Sequence, residues 1–322
     1  MSIKNRQSPK VSVIIPVYNC EVYVAEAIES VLSQDYPNIE LIIVNDGSTD
    51  DSISILKSYH AKAKNIVLLT KENGGAAEAR NAGLEISTGE FVAFLDADDV
   101  WLPGKLTLQV QYLLKNVDID MVYSSWIRVE NNDLSSTIHN IESSLKKDRH
   151  TVSVIKPDSG WIYHHLLLDC IVHTITVLMR KSLVAKLGGF DANLRLGEDY
   201  TYWLKASRIT EIVKLNFVGA IYRLHGDNIT EKTQIVNNEY TVVDWAVKKW
   251  GTIGPDGSKT NIKKLRLRLA KLCFEFGYEQ YWHGDMYKAY ESFRQCTHHR
   301  MFWTKNIVYL ILSLIRHNIL RR

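Results

Sequence analysis

Cysteine is scarce in this chain, and its four copies, Cys20, Cys170, Cys273 and Cys296, lie far apart. None stands in a Cys-x-x-Cys pair or in a Cys/His run with metal-ligand spacing, which excludes a zinc ribbon and a disulfide-stapled scaffold. Four reduced thiols in a cytoplasmic protein are expected. Long apolar runs are missing as well. No stretch reaches the roughly eighteen residues that a spanning helix needs, and MSIKNRQSPKVSVIIP has no signal-peptide core before strand-like sequence begins. Charge of one sign is not in excess: the net charge is +3, and no basic stripe occurs until the last residues. A nucleic-acid partner is therefore not expected.

What the chain does have is an ordinary globular composition, 46% hydrophobic and 23% charged over 322 residues. That suffices for one large α/β domain with an appendage and a core that needs no staples. Residues 11–100 alternate short β-branched runs with amphipathic helical stretches, the pattern of βαβ units on a parallel sheet. Strands are expected at Val11–Pro16, Glu40–Asn45, Ile66–Thr70 and Phe91–Leu95. Helices are expected at about Val22–Gln34, Asp51–His60 and Ala76–Ile86. Each strand ends in a polar loop, and ligands of open α/β sheets bind at such carboxyl ends. A further helix is expected over Lys105–Asn116, strands near Met121–Arg128 and Ile212–Tyr222, and a helix from Glu198 to Ala206. Residues 130–160 read as a loop or an acceptor-side insertion. Residues 231–322 read as helical, with Gly277, Gly284, Ala289 and Phe293 spaced for a packed helical pair, so the boundary is placed near 230.

Three loops carry chemistry. Asp96-Ala97-Asp98-Asp99 ends a strand with carboxylates two apart, able to converge on one hard cation. Capping and turn formation alone would also account for these Asp residues. Asn45-Asp46-Gly47-Ser48 ends a neighbouring strand, where a carboxylate can accept a nucleobase N–H and Gly47 permits close backbone approach. The segment NGGAAEARNAG (73–83) lacks the G-x-G-x-x-G dinucleotide fingerprint, and its Arg80 either reaches a base or phosphate or is a solvated helical arginine. Trp101 and Trp203 are sugar-stacking walls or, more simply, core residues.

In combination these segments resemble the large inverting glycosyltransferase family 2 with the GT-A fold. The resemblance rests on VSVIIPVYN (11–19), VNDGSTDDS (44–52), NGGAAEARNAG (73–83), STGEFVAFLDADD (87–99) and GEDYTYWLKA (197–206), and covers residues 8–230. It implies a Rossmann-like, mostly parallel sheet flanked by helices, with a C-terminal helical extension. It also implies a nucleotide-diphosphate-sugar donor, with UDP-sugar favoured, a divalent Mn²⁺ or Mg²⁺, and a glycan or lipid-linked acceptor in surface polysaccharide assembly. Position by position, Pro16, Tyr18 and Asp46 would line the nucleobase pocket, with Arg80 in support. Asp96 would sit near ribose and metal, Asp98 would be the principal metal ligand, and Asp199 would match the catalytic base. An inverting displacement needs such a carboxylate on the face opposite the leaving group. His225 resembles a late histidine of many relatives and is a candidate metal or diphosphate ligand.

Two rival readings share this fold: a non-catalytic nucleotide-sugar or glycan-binding protein, and a sugar nucleotidyltransferase. The first has no chemical need for both Asp98 and Asp199. The second calls for a Gly-rich basic loop after the first strand, where Val17–Glu21 offers Tyr-Asn-Cys. The segment 301–322, MFWTKNIVYLILSLIRHNILRR, is too short and interrupted to span a bilayer. It reads either as an interfacial helix on the inner face of the membrane or as a helix docked on protein, including a second copy.

Overall fold

The computed structural model describes residues 8–130, 134, 136–138, 152–226, 234–299 and 303–320. Much of the loop or acceptor-side insertion expected over 130–160 falls outside these residues. The chain divides into two compact units, residues 1–162 with 171–225, and residues 163–170 with 226–322. The division follows His225, and the short stretch 163–170 groups with the second unit.

The first unit is built on one eight-stranded mixed sheet. Its parallel half comprises β1 (Val11–Val17), β2 (Ile39–Asn45), β3 (Ile66–Thr70) and β4 (Phe91–Phe94), in the order β3-β2-β1-β4. In β1, Val11, Val13, Ile14, Ile15 and Val17 are all fully buried, which is why VSVIIPV runs apolar without alternation. Helices α1 (Val24–Leu32), α2 (Ser52–Lys62) and α3 (Ala76–Ile86) connect these strands. Helix α3 lies close on β1: a Cβ at Gly83 would stand 2.6 Å from a methyl of Ile14.

The other half of the sheet is mixed, and with it the sheet as a whole stays mostly parallel. Strands β5 (Val100–Trp101), β6 (Met121–Glu130), β7 (Leu178–Arg180) and β8 (Ile212–Leu224) continue the sheet as β4-β7-β6-β8-β5. Strand β7 is antiparallel to both β4 and β6, and β5 is antiparallel to β8. The long β6–β8 pair is parallel and carries an irregularity at Ser124 and Ser125. Helix α4 (Lys105–Lys115) follows β5. Trp101 and Trp203 are core residues, 2% and 0% exposed, so neither is a sugar-facing wall.

Because Val17 pairs with Asn45, Asn45 with Thr70, and Ile14 with Phe94, the carboxyl ends of the four parallel strands lie along one edge. The loops after them are thereby gathered.

The second unit holds α5 (Tyr163–Leu166) and the long helices α8 (Asn238–Trp250), α9 (Ile262–His283), α10 (Met286–His298) and α11 (Trp303–Leu320). Helices α6 (Lys181–Leu187) and α7 (Glu198–Ala206) belong to the first. The expected helical pair is present. Gly277 on α9 faces Phe293 on α10, and Asp285 caps α10 by accepting from Tyr287 N and Lys288 N. Among the described residues no disulfide joins Cys20, Cys170, Cys273 or Cys296. Among the described residues no helix is long and apolar enough to cross a membrane.

Candidate active site

The loop after β2 is locked to the loop after β3. Asp46 is 2% exposed; its Oδ1 accepts from Lys71 Nζ (2.8 Å) and Gly74 N (3.0 Å), and its Oδ2 accepts from Gly75 N (2.8 Å). Asn73 Nδ2 closes the pair by donating to the Asp46 carbonyl at 3.0 Å. Gly47 makes this approach possible. It holds φ +74°, and a Cβ there would stand 2.9 Å from Asn73 N. Both Asp46 oxygens are thus engaged by the chain itself, and a nucleobase N–H would have to share one with Lys71 or displace it. Pro16 is half-buried at the end of β1, and Tyr18, beyond it, is 52% exposed. The loops after β1 and β2 are laced together. Asn19 N donates to Ser48 Oγ, Thr49 N to Asn19 Oδ1, and Cys20 N to Ser52 Oγ.

Arg80 departs from the expected base contact. It is buried on α3, with Nη2 2.7 Å from Asp96 Oδ1 and Nη1 2.6 Å from Glu198 Oε1. Burial opposes its charge, but Asp96 and Glu198 outweigh that and hold the guanidinium more firmly protonated than usual. Arg80 therefore ties the turn after β4 to the start of α7. Glu198 is itself buried; desolvation pushes its carboxyl up against the pull of Arg80, and Asp199 adds to the rise.

Asp199, beside it, is half-buried in the first turn of α7. Its Oδ2 accepts from Thr174 Oγ1 at 2.8 Å and its Oδ1 from Tyr200 N at 2.6 Å. Two donors and a helix N-terminus fix the orientation of this carboxylate.

The turn after β4 also brings Asp98 to His225, with Oδ2 and Nε2 3.1 Å apart. His225 lies just past β8, its ring 4.5 Å from that of Tyr23. Arg223, 2% exposed, braces the turn: its N donates to Asp99 Oδ1, its Nε to the Asp98 carbonyl at 2.8 Å, and its Nη2 to Glu26. Asp99 Oδ2 is buried without a hydrogen-bond partner among the described residues, and burial, with Asp98 and Asp96 beside it, pushes this carboxyl well above the usual range. Three carboxylates in four residues, one with an orphaned oxygen, form a locally acidic turn beside an imidazole. Such an oxygen and nitrogen donor set suits Mn²⁺ or Mg²⁺ bound through Asp98 and His225. Among the described residues no three such side chains form a ready ligand cluster. Phosphate oxygens and water would have to complete the shell.

The structure thus joins Arg80 to Asp96 and Glu198 by ion pairs, with Asp199 next to Glu198 in the chain and bonded to Thr174, and brings Asp98 to His225, while Asp46 anchors the adjacent loop. Glu198, Thr174, Lys71 and Arg223 were not singled out from the sequence. Glu198 lies within GEDYTYWLKA, and Arg223 lies two residues before His225. Thr174 and Lys71 carried no signal.

The family described as "Glycosyl transferase family 2" matches residues 12–183. The uncharacterized glycosyltransferase RP339 of Rickettsia prowazekii is 35% identical over 245 residues, 74% of this chain and 71% of its own length. The chain spans 62% and 30% of the length of two other Rickettsia relatives. The UDP-Glc:alpha-D-GlcNAc-diphosphoundecaprenol beta-1,3-glucosyltransferase WfgD of Escherichia coli is 33% identical over 224 residues, 68% of this chain and 79% of WfgD. Among solved structures, S. aureus TarS 1–349 in complex with UDP-GlcNAc superposes with a TM-score of 0.57 at 18% identity. It covers 95% of this chain and 79% of TarS 1–349. The mannosyltransferase PcManGT of Pyrobaculum calidifontis, in complex with GDP-Man and Mn²⁺, gives 0.57 at 18% identity, covering 96% and 87%. These two show the shared GT-A fold. By the family match and the extent of its relatives, the chain belongs to glycosyl transferase family 2.

Proposed function

We propose that the chain transfers a sugar from a nucleotide-diphosphate sugar, with UDP favoured, to a hydroxyl of a glycan or lipid-linked acceptor, inverting the anomeric centre. The observation that carries this is Asp199. It is a half-buried carboxylate oriented by Thr174 and by its own helix start, and Glu198 and Arg80 connect it to the acidic turn at Asp96. Asp199 accepts the acceptor hydroxyl proton as that oxygen bonds to the anomeric carbon from the face opposite the diphosphate. The carbon–oxygen bond to the diphosphate breaks, and its electron pair leaves with the nucleotide. Asp98 and His225 would hold a divalent cation, which when bound neutralises charge on the departing diphosphate. Tyr18 and Pro16 flank the nucleobase, and Asp46 shapes the wall beside it by holding Lys71–Gly75 in place. The relatives support the substrate class: WfgD is named for a UDP-Glc donor and a diphosphoundecaprenol acceptor, and TarS was solved with UDP-GlcNAc.

Calorimetry of the full chain and Asp98→Ala with UDP, GDP and dTDP, with and without Mn²⁺, tests the donor site. Metal-dependent binding of one nucleotide, lost in the variant, is expected, and identifies the base for a donor screen. Binding of no nucleotide under any condition removes the proposal.

A further inference from the structure

Helix α11 is packed the wrong way round for a helix surrounded by water. Its polar side chains Asn306 and Ser313 face inward, 1% and 0% exposed. Asn306 Nδ2 donates to the Phe293 carbonyl on α10 at 2.9 Å, and Ser313 Oγ to the carbonyl of Leu310. Tyr309 and Leu310 complete the inward face against Met286, Ala289 and Phe293. Val308, Ile311, Leu312 and Ile315 point away, each 42–53% exposed. At 100° per residue these four lie within one narrow arc, so they form a continuous apolar strip rather than scattered contacts. Burying amides and hydroxyls while exposing isoleucine is costly in water, so such a helix is built to meet something apolar on its free side.

Charge and aromatic placement decide what that is. No Asp or Glu occurs after Glu291, while Lys305 and Arg316 flank the strip and Arg321 and Arg322 follow it in sequence. Both Lys305 and Arg316 are exposed, and the guanidinium of Arg316 lies 5.3 Å above the Tyr281 ring. Trp282 on α9 and Tyr287 on α10 are 53% and 50% exposed, and both neighbour α11: Trp282 stacks edge-on against Tyr278 and Tyr281, which in turn contact Tyr309, and Tyr287 lies against His317. Exposed Trp and Tyr beside an apolar strip with basic flanks match the headgroup boundary of a bilayer, where rings sit at the interface and cations meet anionic lipid. A second copy fits less well, because two such faces would bring only positive charge together.

We propose that this outward face of α11 docks the protein on an anionic membrane surface, lying in the interface rather than crossing it. The inference is independent of the transfer reaction, since the residues involved all belong to the second unit. It is tested by flotation of the full chain with phosphatidylcholine vesicles and with vesicles containing about 30% phosphatidylglycerol. The wild type is expected to float with the anionic vesicles and to be released by high salt. The double variant Ile311→Glu/Ile315→Glu should bind roughly tenfold more weakly or worse, and Ile311→Leu/Ile315→Leu should bind as the wild type. Far-UV circular dichroism and thermal melting of both variants establish that they fold. Failure of the wild type to float, or equal flotation of the Glu variant, overturns the proposal. A dimer in sedimentation that the Glu variant dissociates, without vesicle binding, overturns it in favour of a second copy.

Discussion

Replacing Arg80 with methionine removes the link between the turn after β4 and the start of α7. In the wild type its guanidinium makes two charge-assisted bonds, at 2.6 Å to Glu198 and 2.7 Å to Asp96. Removing one member of a buried ion pair costs about 3–5 kcal/mol, because the partner charge stays buried and uncompensated. Glu198 incurs this in full, with 8% of its side chain exposed. Asp96, with 33% exposed, can recover water and contributes less. The expected loss is therefore about 3 kcal/mol, read from urea unfolding at pH 8. The pH dependence has a definite sign. The Glu198 carboxyl is already raised by burial, and a carboxyl raised in the fold favours folding at low pH and loses that advantage as pH rises through its folded value. Removing Arg80 deletes the main downward pull, so the deficit should be larger at pH 8 than at pH 5. Adding Glu198→Gln should return about 1–2 kcal/mol of it, since the stranded charge is gone. A deficit below about 1 kcal/mol, or one independent of pH, would refute the reasoning.

Lys105 offers a second test, in the core of the same unit. Its Nζ sits 3.9 Å from the centre of the Trp101 ring and 3.0 Å from Gln109 Oε1, yet the residue is fully buried, and desolvation pushes its amine well below the usual lysine value. A lysine depressed in the fold costs stability as pH falls below about 10.4, where the unfolded chain takes up the proton first. Lys105→Met should therefore stabilise by about 1–2 kcal/mol at pH 7, the gain vanishing near pH 11; thermal melts across pH check this, and destabilisation at pH 7 would contradict it. In the second unit, Gly277→Val places a Cβ 2.9 Å from Phe293 and should cost about 1–3 kcal/mol by overpacking the α9–α10 contact. Phe293→Leu in the same chain should restore part of that loss, measured by denaturant unfolding; no rescue would mean the cost arises elsewhere.

The parallel half of the sheet was legible because β1 to β4 are apolar runs punctuated by Gly, Asp and Asn, and local pattern suffices there. Strands β5 and β7 were not. Two or three residues carry no period, and they are strands only because β8, β4 and β6 supply edges to pair with. The aspartates of the candidate site were legible from motif and position. The fate of Arg80 was not, since its partner Glu198 lies 118 residues away and helical position alone suggested a free cation. Asp46 shows the same limit: Lys71 and the Gly74 and Gly75 amides reach it only once the loops after β2 and β3 are brought together. Helix α11 was legible as amphipathic, but which face the protein covers depends on α10, and it covers the side that bears Asn306 and Ser313.

The most direct measurement of the proposed chemistry is single-turnover transfer by Asp199→Asn, alongside nucleotide binding by the same variant. The single amide oxygen can keep one of the two bonds that Asp199 accepts, from Thr174 or from Tyr200 N, but cannot take a proton, so the transfer rate should fall about 10²–10⁴-fold while nucleotide affinity stays within a factor of about two. A rate within about fivefold of wild type, with binding intact, would contradict the assignment of Asp199 as the base.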